Sequence, residues 1–122
     1  MFKLEKEPKF WASVTVVTPS DNGGVEQAFK ARFKVQPASE VEKVDNMFGG
    51  APLVTFLKET VIDLAEVTDD AGETISFSEA LLDQVLDHFG ARQALWNTYI
   101  REVTSARVGN SSGSAEPSLP AS

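Results

Sequence analysis

Five carboxylates, Asp63, Glu66, Asp69, Asp70 and Glu73, crowd one short stretch of the chain, and clustered carboxylates are what a hard divalent cation requires. One reading is an enzyme using these side chains with a metal that arrives with its substrate. A calcium loop is the sharper version of that idea, because Thr68 to Glu79 spans twelve positions with Ile75 eighth and Glu79 twelfth. Its details fail: the loop wants Asp first and Gly sixth, whereas Thr68 is first, Gly72 fifth and Glu73 sixth. A solvated turn ahead of a capped helix accounts for the same residues. His88, the only histidine, follows Asp87, but neighbours on a helix point in different directions and no activated nucleophile accompanies them. Gly23-Gly24 and Gly49-Gly50 lack the Lys-Ser/Thr of a phosphate loop, so turn and helix-end roles suffice. No catalytic residue, cofactor site or metal ligand is assigned, and the expectation is a protein that is not an enzyme.

Binding is the chemistry left. Leu95, Tyr99, Val103, Trp96 and Ile100 sweep roughly 140° of the last helix, against the roughly 100° that packing on a single core requires. Two neighbours sandwiching that helix inside the core is the default explanation, because wide arcs are common in small helical cores; the alternative is that part of its apolar surface awaits a partner. Trp96 and Tyr99 are residue types that interfaces favour, and Trp11 is a second candidate. The partner-binding set read from sequence is therefore Trp11, Trp96, Tyr99, Ile100 and Val103, forming a groove suited to an amphipathic helix.

The elements that must position these residues follow from periodicity. Phe10 to Val17 and Ala28 to Val35 read as strands, because Phe29, Ala31, Phe33 and Val35 alternate with Lys30, Arg32 and Lys34. Turn formers from Thr18 to Gly24 join them into a hairpin, with Trp11 on the face opposite Phe10, Ala12, Val14 and Val16. Ser39 and Glu42 have capping-box spacing, which predicts a short helix from about Glu40 to Phe48. Pro52 opens another, whose Leu53, Phe56, Leu57, Thr60 and Leu64 share a side, with Ile62 opposite, and which frays or stops around Ile62 to Leu64. Glu66 to Thr68 and Thr74 to Ser76 pair briefly across the acidic turn. Ser78 caps a helix presenting Leu81, Leu82, Val85, Leu86 and Phe89 on one face, and Gly90 separates it from a last helix, Ala91 to about Arg107. The fold class is α+β: an antiparallel hairpin followed by three to four packed helices. One domain over residues 1–107 is expected, with a core of Phe29, Phe33, Leu57, Leu82, Val85, Leu95 and Ile100. Residues 108–122, GNSSGSAEPSLPAS after Val108, have the composition of a flexible tail.

The second half of the chain resembles the tail assembly chaperones of long-tailed, lambda-like bacteriophages. In that family a D-x-G-x-x-x-x-F-S turn precedes a leucine-rich helix and an R-x-A-L-x-x-x-Y helix. Here Asp70, Gly72, Phe77 and Ser78, then Arg92, Ala94, Leu95 and Tyr99, match it. The chain departs from the pattern ahead of the acidic turn, where Leu64 and Ala65 replace a tryptophan common in the family. The resemblance implies a non-enzymatic protein that binds the tape measure protein, keeps it soluble and helps recruit the tail tube protein through a longer, frameshifted form. It leaves room for a homo-oligomer, and for another small phage tail component instead.

Composition narrows the partners independently. The net charge of −7 and pI near 4.6 argue against nucleic acid as a ligand. They raise instead an acidic inhibitor that imitates nucleic acid, but Lys30, Arg32 and Lys34, with Arg92, Arg101 and Arg107, interrupt the surface it would need. Absence of Cys removes disulfides and thiolate metal sites. No apolar run reaches membrane-spanning length, and the opening MFKLEKEPKFW lacks a signal peptide's apolar stretch, so a cytoplasmic location away from membranes is expected, which the resemblance makes that of a host bacterium.

Overall fold

The computed structural model describes residues 2, 4, 7–44 and 50–104. Two twelve-residue strands, β1 (Lys9–Ser20) and β2 (Gly23–Lys34), form the antiparallel hairpin. A short helix α1 (Ala38–Val41) and a longer α2 (Ala51–Thr60) follow, then β3 (Val61–Ala65), α3 (Glu79–Asp87) and α4 (Phe89–Thr104). β3 adds antiparallel to β2, giving a three-stranded sheet in the order β1-β2-β3. The architecture is the α+β one expected, with one sheet face covered by helices.

Register explains the two faces. Phe10 opposes Phe33, Ala12 opposes Ala31 and Val14 opposes Phe29, so the inward face is apolar, whereas Trp11 opposes Arg32 and Ser13 opposes Lys30 on the outer face. Asp21-Asn22 is a two-residue loop closed by the Ser20/Gly23 pair, and Gly23 has a φ of 102°, a conformation that costs glycine little.

α2 stops at Thr60, just ahead of the expected Ile62 to Leu64, and the residues beyond it form a strand not expected from the sequence. The backbone turns extended at Val61 (φ −83°, ψ 115°), and the next residues pair with β2: Phe33 with Val61, Arg32 with Asp63, Ala31 with Leu64. The bulge between Arg32 and Phe33 makes Ile62 supernumerary, so Val61 and Leu64 reach the same buried face although they lie three residues apart.

The helix ends bring three further corrections. Ser39 makes no capping box: Pro37 occupies the N-cap of α1 without a side-chain bond, and the helix stops at Val41. Pro fits that start because its locked φ, −59° here, needs no amide donor. The predicted extension to Phe48 runs into residues 45–49, outside the described set. Secondly, Phe89 does not join the buried face of α3; it begins α4 and is 63% exposed. Thirdly, Gly90 is not the separator. The break is His88, whose extended backbone (φ −87°, ψ 112°) ends α3 while its Nδ1 accepts the Ala91 N–H at 3.1 Å, capping α4. Arg92 Nε donates to the Leu86 carbonyl at 2.8 Å, occupying one of the acceptors left at the end of α3. Ser78 caps α3 as expected, accepting from the Leu81 N–H at 3.1 Å.

The core gathers Val14, Ala31, Phe33, Leu53, Leu57 and Leu95 from sheet and helices, together with Leu82, Leu86 and Tyr99. Of the expected core, Phe33, Leu57, Leu82 and Leu95 are buried, whereas Phe29, Val85 and Ile100 lie half-buried at its rim. The expected tail, residues 108–122, and the end of the last helix beyond Thr104 lie outside the described residues.

Candidate functional site

Two carboxylates of the cluster, Asp69 and Asp63, serve their own backbone. Asp69 Oδ1 accepts the Ala71 and Glu73 N–H groups at 2.9 and 3.0 Å, fixing the turn before the Thr68/Thr74 bridge, and the Ile75 N–H donates to the Val67 carbonyl at 2.8 Å. Asp63 Oδ1 accepts from the Leu64 N–H at 2.8 Å, and Glu66 lies 3.3 Å from Lys30 Nζ. Among the described residues no group of three or more His, Asp or Glu side chains could hold a metal ion, and no helix is long and apolar enough to cross a membrane.

The aromatic set read as a groove divides. Trp96 and Tyr99 are inside the domain, 4% and 0% exposed, because α4 is sandwiched between the inner sheet face and helices α2 and α3. The Trp96 ring meets Phe56 edge-on at 5.5 Å, and Tyr99 lies 5.4 Å from Phe56, 5.6 Å from Phe33 and 6.2 Å from Phe10. The Tyr99 hydroxyl accepts the Gln36 N–H at 2.9 Å, tying the chain after β2 to α4. Burial raises the Tyr99 pKa above its ordinary 10.0, partly offset by that hydrogen bond. These two rings are core, the default reading of the wide apolar arc, and they do not form the alternative partner surface. Ile100 and Val103 are half-buried against the same core. Trp11 is separate from all four, on the outer sheet face opposite Arg32 and 46% exposed. The structure therefore does not bring the five residues into one surface.

A groove of about 470 Å³ opens elsewhere, between the far half of the hairpin, the acidic turn and α3. Val16, Phe29, Leu81, Val85 and Ala91 contribute apolar surface, and Glu66, Asp69 and Asp70 of the acidic turn complete the lining, Glu66 as the partner of Lys30. It exists because β3 is short. Its pairing with β2 ends at Lys30/Ala65, and Glu66, at a φ of 64°, turns the chain away from the sheet. Among the described residues no strand pairs with β2 on that side from Gly23 to Phe29. Sequence reasoning missed the site: Phe29 and Val85 read there as core, and the carboxylates as a solvated turn. The signal that could have revealed it was unequal strand length, which requires β3 to be recognised first.

No family model matches the chain, and no curated protein or solved structure gives a match either.

Proposed function

We propose that the protein is a phage or prophage tail assembly chaperone that binds the tape measure protein, keeps it soluble and helps bring it to the tail tube protein in the host cytoplasm. The resemblance from Val61 to Val103 suggests the client, and the observation that carries the reading is the groove beside β2, apolar at its base and bordered by the acidic turn. Such a surface covers apolar area of a long client while the chain's charge of −7 keeps the complex dissolved. Many copies along one client turn weak individual contacts into firm association. Of the residues that carry the resemblance, Asp70 lies in the groove's lining.

Co-expression with the tape measure protein of the same genome tests this. The client's soluble yield should rise and the two should co-purify at moderate salt. Val85→Glu, which places a charge on the half-buried groove base, should abolish the effect in a protein that still folds. An insoluble client with no co-purification would refute the proposal.

A further inference from the structure

We infer that the groove takes its partner as an extended strand, added antiparallel to β2 in line with β3, with apolar residues facing inward and basic residues alternating with them. This is the partner site of the proposed function, described by the conformation it accepts.

Backbone parity carries the argument. The two-residue loop makes Ser20/Gly23 a hydrogen-bonded pair, and the Val35 N–H donates to the Pro8 carbonyl at 2.9 Å at the other end. Odd-numbered residues of β2 therefore direct their peptide groups to β1, and even-numbered residues direct theirs to the opposite edge. Lys30 and Arg32 meet β3 there, opposite Ala65 and Asp63. Gly24, Glu26 and Ala28 present the same N–H and C=O groups where no described strand pairs with them.

A strand completing that ladder has its side chains fixed by the pleat. Residues opposite Phe29, Gln27 and Val25 project inward, over the apolar groove and toward Val25, which is 49% exposed. Residues opposite Ala28 and Glu26 project to the outer face, where the Glu26 carboxylate is exposed and the next cation along β2, Lys30, is engaged by Glu66 at 3.3 Å. Charge complementarity therefore calls for basic residues at the alternate positions. Backbone bonds would supply affinity, and the alternation would supply selectivity.

Because the residues projecting outward are also those whose amides reach β2, selective backbone methylation separates strand addition from other modes. The isotope-labelled full chain is titrated with an alternating Lys/Val heptapeptide, followed by amide chemical shifts. Shift changes should centre on Gly24 to Phe29 and Glu66 to Asp70. N-methylation of the Lys amides should weaken binding at least tenfold, and N-methylation of the Val amides by less than threefold. Glu26→Gln should weaken binding of the unmethylated peptide. Ala28→Pro should abolish it with the fold retained, since the Ala28 N–H does not serve the β1/β2 ladder; if that variant unfolds, the methylation pair decides with the unaltered chain. Equal loss from both methylations, equal binding of an isomer patterned as an amphipathic helix, or shift changes confined to α4 would overturn strand addition. Failure of all peptides to bind while the tape measure protein is still kept soluble would overturn it too, leaving the proposed function intact.

Discussion

Trp96 and Trp11 are the only tryptophans, and replacing each by Ala should have opposite consequences. Trp96 is 4% exposed and meets Phe56 edge-on, with ring centroids 5.5 Å apart and planes at 82°. Removing such a buried ring costs about 3–5 kcal/mol, including the transfer of its area and the cavity left behind. Whole domains of this size are stable by about 5–15 kcal/mol, so Trp96→Ala should lower the melting temperature by about 12 °C or more. Trp11 is 46% exposed on the outer sheet face, and its replacement should cost about 1 kcal/mol or less. Fluorescence reports both environments. In Trp11→Phe the remaining emission should be blue-shifted and move red on unfolding, whereas Trp96→Phe should leave a partly red-shifted emission with a small change. Thermal denaturation followed by circular dichroism measures the stabilities. A Trp96→Ala protein as stable as the parent, or a Trp96 emission already red in the native state, would refute the sandwiched position of α4.

Three further outcomes follow from named contacts. His88→Ala should lose about 0.5–2 kcal/mol in chemical denaturation as the Ala91 N–H loses its cap, while His88→Asn, with a shorter acceptor, should recover most of it. Tyr99 binds its proton more tightly folded than unfolded, so its contribution is complete below pH 10.0 and is lost as pH rises through the raised folded value. Tyr99→Phe should therefore flatten the alkaline end of the stability profile, while costing about 1 kcal/mol at neutral pH for the bond from Gln36. Leu95→Ala, at a fully buried position, should cost about 2–5 kcal/mol, and Phe29→Ala, half-buried at the groove, should cost less in the same denaturation series.

The hairpin was legible because strand alternation and turn formers agreed, and the start of α3 because Ser78 stands ahead of an apolar helical pattern. β3 was hidden by its own bulge. With Ile62 supernumerary, Val61 and Leu64 share a face at a spacing of three, which mimics a helix continuing from Leu57 and Thr60. His88 was hidden for a related reason: Phe89 fits the apolar spacing of α3, and nothing local shows that the imidazole turns to accept the Ala91 N–H. The wide apolar arc of α4 was read correctly as a feature, but its cause depended on neighbours. Only the placement of α2, α3 and the sheet around α4 makes Trp96 and Tyr99 core. The groove was illegible because it arises from a missing pairing along β2, which no pattern within β2 records.

Hydrogen–deuterium exchange on the chain mixed with its proposed client, the tape measure protein, tests most directly where and what it binds. Protection gained on complex formation should fall on Gly24 to Phe29, on the acidic turn from Glu66 to Asp70 and on the groove side of α3 around Val85, with α4 unchanged from Trp96 to Val103. A complex that forms with new protection on α4 or around Trp11 and none along β2 would contradict the groove as the client site.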